Sequence, residues 1–225
     1  MKSICNFRYA RTRRGSARFP NVKGLLRYIQ YRDDRDGHIA GAGGPNRWVD
    51  CGLGDSYPRI LARLDELSAG NPHAYCFTVV ISPDPEAIAK VEGDPHARFV
   101  EAVKSAMEDW QVWRAEHGKP LPGPIEYSFV VHRPERNYGE QMHAHLILPA
   151  ATEDAMSGGL DPLYNNPPHI DALKEIVYRQ LDRVYGVGRE RELPDLELKM
   201  NDRGVGGRDR AEIPFHESDQ PEEDG

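Results

Sequence analysis

Two short stretches decide the reading of this chain: Ile125-Glu126-Tyr127-Ser128-Phe129-Val130-Val131-His132, and Met142-His143-Ala144-His145-Leu146-Ile147-Leu148-Pro149. Both are β-branched and aromatic enough to be strands. The connection between them holds Pro134, Asn137 and Gly139, residue types that suit a hairpin-like turn. Successive strand side chains point to opposite faces, so His143 and His145 project together while Met142, Ala144 and Leu146 face the other way. Antiparallel pairing then sets His132 opposite His143 or within a residue of it, and diagonal to His145. Cross-strand neighbours on one face are close enough for three imidazoles to converge. Three neutral imidazoles without a thiolate leave coordination positions open, which suits a divalent ion that also binds substrate oxygen.

The flanking sequence supplies the rest of a layered fold. Residues 3–9 alternate as a strand, and residues 10–20 are a basic loop broken by Gly and Pro. Val22, Leu25, Leu26 and Ile29 mark one face of a short helix capped by Asn21. Residues 33–47, rich in Asp and Gly, read as loop. Ser56 and Pro58 open a second helix with Ile60, Leu61, Leu64 and Leu67 as its buried stripe. The nearly continuous apolar run 74–82 predicts a central strand covered on both faces. Asp94 and Pro95 open a long helix carrying Phe99, Val103, Met107, Trp110 and Trp113, stopped by Gly118 and Pro120. Residues 158–168 read as loop. A last helix follows along Ile170, Leu173, Val177, Leu181 and Val184 to Gly186, and Leu193, Leu196 and Leu198 suggest a short edge strand. The expectation is an α+β fold, a mostly antiparallel central sheet flanked by helices. It occupies one domain, residues 1–200, followed by a Gly-rich and acidic disordered tail, 201–225.

Composition bounds the function. The chain has 225 residues, 39% hydrophobic and 29% charged, and a net charge of −7. No stretch is apolar enough to span a bilayer, and the start lacks a signal-peptide core, so no membrane insertion and a cytoplasmic location are expected. The three cysteines form no C-x-x-C pair, which argues against a thiolate zinc site or a disulfide framework. Charge is unevenly distributed. Residues 1–35 hold ten Lys/Arg against two acids, Asp33 and Asp34, a local charge of +8. Arg11, Arg13, Arg14, Arg18, Lys23, Arg27 and Arg32 are therefore candidate phosphate contacts. His73, ahead of the central strand, is a candidate partner for a metal-bound histidine. His38, His96, His117, His169 and His216 read as solvated.

The segment 125–148, with His132, ten residues, then His143-Ala144-His145, resembles the third motif of plasmid mobilisation relaxases, the MobA/VirD2-like branch of the HUH single-strand endonucleases. The order of elements matches over roughly residues 20–150. A basic arm and a tyrosine-bearing helix (Leu25-Leu26-Arg27-Tyr28-Ile29-Gln30-Tyr31-Arg32) come first, then a strand, an amphipathic helix and the hairpin. The sequence departs from that branch at Pro134 and Pro149, where an acidic residue and an Asn are usual.

The resemblance implies a metal bound by His132, His143 and His145, with Mn²⁺ or Mg²⁺ ahead of Zn²⁺. It implies single-stranded DNA at an origin-like site as substrate, and accessory mobilisation proteins as further partners. It also implies nicking and joining through a covalent 5′-phosphotyrosine, with Tyr28 as first candidate nucleophile and Tyr31 as second. Replication initiators and transposases of the same superfamily carry the nucleophile on a later helix, where Tyr178 and Tyr185 stand. Two other readings compete: a single-strand-binding accessory protein that kept the fold and lost cleavage, and a metal hydrolase of another substrate.

Overall fold

The computed structural model describes residues 3–10, 21–35, 47–118, 121–132, 142–154, 156–163 and 167–186. The basic loop 11–20, the hairpin connection with Pro134, the edge strand expected at 193–198 and the tail 201–225 lie outside the described residues.

Five strands form one antiparallel sheet in the order β1-β3-β5-β4-β2. They are β1 (Ile4–Ala10), β2 (Val49–Cys51), β3 (Cys76–Ser82), β4 (Tyr127–His132) and β5 (His143–Pro149). β5 is central because its two faces both carry apolar side chains: Ala144, Leu146 and Leu148 on one, Ile147 on the other, all buried. The helices divide between these faces. On the first, α4 (Pro95–His117) and α5 (Pro167–Tyr185) pack Phe99, Val103, Met107, Trp110, Leu173, Ile176, Val177 and Leu181 against Phe77, Val79, Ile81, Phe129, Leu146 and Leu148. On the second, α1 (Val22–Arg35) and α2 (Tyr57–Ser68) pack Val22, Leu26, Ile29, Ile60, Leu64 and Leu67 against Cys76, Val130 and Ile147. The α+β class expected from the sequence is the observed one.

The helix starts follow local chemistry. The Asn21 side chain accepts a hydrogen bond from the Gly24 amide, the third residue of α1. Asp94 accepts from the His96 amide at 2.9 Å, with Pro95 at the first helical position. Ser56 precedes α2 in extended conformation without a side-chain cap, and Pro58 alone marks that entry.

Several expectations need correction. Residues 33–35 belong to α1, not to a loop: the helix runs on through polar residues that carry no apolar period. Val49–Cys51 is an edge strand paired with β4. A short α3 (Pro85–Ile88) is capped by Asp84. The loop expected at 158–168 contains β7 (Leu160–Pro162), which pairs with β6 (Ala151–Glu153) in a separate two-stranded sheet. No helix among the described residues is long and apolar enough to cross a membrane.

Candidate metal centre and nucleic-acid interface

The β4–β5 ladder puts His132 opposite His143 and Val130 opposite His145, one of the registers the hairpin reading allowed. On the other side of β5, Val80 stands opposite His145, and Asn6 of β1 stands opposite Val80. One row across the sheet is therefore Asn6, Val80, His145 and Val130. The three histidines lie at one end of the sheet, on the face that carries α1 and α2. His132 is buried, whereas His143 and His145 are half-buried. Towards β1, Ile4, Asn6 and Arg8 are exposed on this face.

The ring centroids are 5.2 Å apart for His132 and His143, 5.2 Å for His132 and His145, and 4.9 Å for His143 and His145. A metal–nitrogen bond of about 2 Å puts a ring centroid about 3 Å from the ion, so ligands at octahedral or tetrahedral angles have centroids about 4.5–5 Å apart. The spacing and the donor chemistry thus fit a three-imidazole site. Ring orientation is the remaining difference. The pairs with His145 are edge-on, at 85° and 75°, but His132 and His143 lie parallel, 10° apart. Accordingly, no group of three or more His, Cys, Asp or Glu among the described residues has its donors converged as for a metal ion. The terminal torsion of a histidine ring is a broad and soft coordinate. His143 is the less confined of the two. The Nε2 atoms of His132 and His145 are buried and make no hydrogen bond, though both residues engage other groups.

The tyrosines of the sequence reading fall in different places. Tyr28 is half-buried and packs against the cluster that contains Val130, the cross-strand neighbour of His145. Tyr31 is exposed and meets the Tyr57 ring edge-on, centroids 6.2 Å apart. Tyr178 and Tyr185 sit with α5 on the opposite face of the sheet from the histidines. Tyr185 is buried and donates its hydroxyl to the Pro95 carbonyl at 3.0 Å, and burial pushes its phenol up from the ordinary range.

Of the basic residues, Lys23 and Arg27 are exposed on α1. Arg11, Arg13, Arg14, Arg18 and the Arg32 side chain lie outside the described residues. Sequence reasoning missed Arg8. It shares the histidine face of the sheet, two strands from His145 and two residues along, about 12 Å away at backbone level by ordinary strand spacings. Strict alternation from residue 4 would have signalled it. His73 does not serve the site: it precedes β3 at the end where Cys76 pairs with Pro149, while His145 sits beside Val80. His117 and His169 bracket Trp113 on the far side, at 4.7 and 5.8 Å.

No family model matches the sequence, and no curated protein matches it. Solved structures do match. The metal-bound structure of the conjugative relaxase TrwC in complex with oriT DNA is 16% identical, with a TM-score of 0.51, over 82% of this chain and 70% of that one. TrwC complexed with a 27-mer DNA comprising the recognition hairpin and the cleavage site is 15% identical, with a TM-score of 0.49, over 85% and 72%. At this identity the likeness is one of architecture, and it agrees with the resemblance carried by the histidine motif: this chain has the fold of a conjugative relaxase.

Proposed function

We propose that the chain is a relaxase-type domain that nicks and rejoins single-stranded DNA. The observation that carries this reading is the histidine cluster: His132, His143 and His145 share one face at one end of a sheet with relaxase architecture. The TrwC structure matched at a TM-score of 0.51 is a metal-bound complex with oriT DNA, which favours the same substrate class here.

His132, His143 and His145 would hold a divalent ion, whose chemistry is to neutralise charge on the non-bridging oxygens of a phosphate. The chain's own residues do the rest. The Tyr28 hydroxyl attacks the scissile phosphorus and loses its proton. A 5′-phosphotyrosine bond forms as the P–O3′ bond breaks, and the departing 3′ oxygen takes up a proton. Reversal by that 3′-hydroxyl rejoins the strand. A phenol is a weak nucleophile while it keeps its proton, so the attack needs a proton acceptor or nearby positive charge. Arg8 and Arg27, exposed on this side, suit phosphate contacts. Tyr31 remains second in line as nucleophile. The position of Tyr178 and Tyr185 across the sheet counts against an initiator-type nucleophile on α5.

The test is an SDS-resistant adduct. Single-stranded origin oligonucleotides with Mn²⁺ or Mg²⁺ should yield one, and Tyr28→Phe should abolish it while leaving DNA binding. Adduct formation by Tyr28→Phe at the wild-type rate would overturn the tyrosine assignment. Chelator-insensitive binding with no adduct would mark a binding module instead.

A further inference from the structure

We propose that Tyr31 and Tyr57, flanked by Arg27, form a stacking platform for unpaired bases of a DNA strand. The proposal rests on the DNA-processing reading above, and it gives Tyr31 and Arg27 a role in holding bases beside Tyr57, which that reading leaves unassigned.

The platform starts from helix geometry. Lys23, Arg27 and Tyr31 recur every fourth residue of α1, so they form one stripe, and all three are exposed. Tyr57 begins α2 beside this stripe. Its ring meets Tyr31 at 6.2 Å and 69°, and the Arg27 guanidinium lies 6.0 Å over it. An aromatic pair with a cation alongside is the combination that stacks bases regardless of sequence.

The backbones that carry the pair are tied from below. The buried Gln30 side-chain oxygen accepts hydrogen bonds from the Tyr57 amide at 2.9 Å and the Trp48 indole at 3.0 Å. Its backbone carbonyl accepts one from the Arg47 guanidinium at 3.3 Å. The two helices are thereby tied at the point where the rings meet. A fixed ring pair costs little ordering when a base arrives. Local charge also favours a strand. Lys23 and Arg27 are exposed along the stripe, Arg59 is balanced by Asp55 at 3.2 Å, and the acids of α1, Asp33 and Asp34, follow Tyr31 towards its C-terminal end.

The experiment measures binding of the full chain to dT₂₀, without metal, across a salt series. Tyr31→Leu should weaken binding about five- to thirtyfold while leaving the slope against log salt unchanged, because a ring carries no phosphate charge. Tyr57→Leu should do the same, its fold checked by thermal melting. Tyr31→Phe and Tyr57→Phe should bind as wild type. Arg27→Gln should reduce the salt slope by about 0.7. Duplex DNA, whose bases are already stacked, should not distinguish Tyr31→Leu from wild type. Wild-type affinity in Tyr31→Leu overturns the platform, and so does a loss in Tyr31→Phe equal to that in Tyr31→Leu. The two readings fail separately. An adduct-forming wild type whose Tyr31→Leu variant binds dT₂₀ normally refutes only the platform. Ring-dependent binding without any adduct refutes only the nuclease.

Discussion

Replacing Gln30 by Met tests how α1 is fixed over the sheet. The Gln30 oxygen accepts from two donors, the Trp48 indole and the Tyr57 amide. Trp48 is 4% exposed and Gln30 1%, so water does not reach that donor. A buried donor left without an acceptor costs about 1–3 kcal/mol. The Tyr57 amide is only part-buried, and water can satisfy it at a cost of about 0.5–1 kcal/mol. Methionine fills similar volume without an acceptor, so little cavity cost is added. The expected loss is about 2–4 kcal/mol, a large share of the roughly 5–15 kcal/mol typical of a domain. Urea unfolding followed by circular dichroism should show it as a lower midpoint at unchanged slope. A double-mutant cycle with Trp48→Phe isolates the indole bond and should give a coupling of at least about 1 kcal/mol. A loss below about 1 kcal/mol, or additivity within about 0.5 kcal/mol, would refute the reasoning. Because α1 carries both Tyr28 and Tyr31, DNA binding and adduct formation should fall with the tie.

Burial pushes the Cys5 and Cys76 thiols up to about 12. The folded state holds these protons more tightly than the unfolded chain, so their contribution is complete below the unfolded value of about 8.5 and is lost as pH rises towards 12. The urea midpoint should hold from pH 6 to 8 and fall above 9, less steeply in Cys76→Ala; equal steepness would remove the buried thiol as a cause. Arg63 ties α2 to Glu126, the residue before β4, with bonds at 2.8 and 2.6 Å, and to Glu153 of β6 at 2.6 Å. Arg63→Met should cost about 1–2 kcal/mol at low salt, and the deficit should shrink when Glu153→Gln removes one stranded carboxylate. An unchanged deficit would mean that the aliphatic stem, not the charge, matters.

Much of the site was legible because it depends on alternation alone. The period of two placed His143 and His145 together, and antiparallel pairing placed His132 within a residue of His143; the ladder sets the two directly opposite. The long helices were legible from their apolar stripes. The short strands were not. Val49–Cys51 and Leu160–Pro162 are three residues each, too short for a period, and Leu160–Pro162 lies in a stretch rich in Gly, Pro and Asn. The Gln30 tie was illegible for a different reason: Gln30, Trp48 and Tyr57 meet only in three dimensions. So do the two sheet faces, which separate Tyr178 and Tyr185 from the histidines although all read alike as helical tyrosines or strand ends.

The central claim is that His132, His143 and His145 act as one metal site. Titration of Mn²⁺ into the purified chain, followed by the electron paramagnetic resonance of the free ion, tests it directly. The account predicts one bound Mn²⁺ per chain, with affinity reduced at least about tenfold in each of His132→Ala, His143→Ala and His145→Ala, while His73→Ala binds as wild type. Binding that survives all three substitutions, or no binding by the wild-type chain, would contradict it.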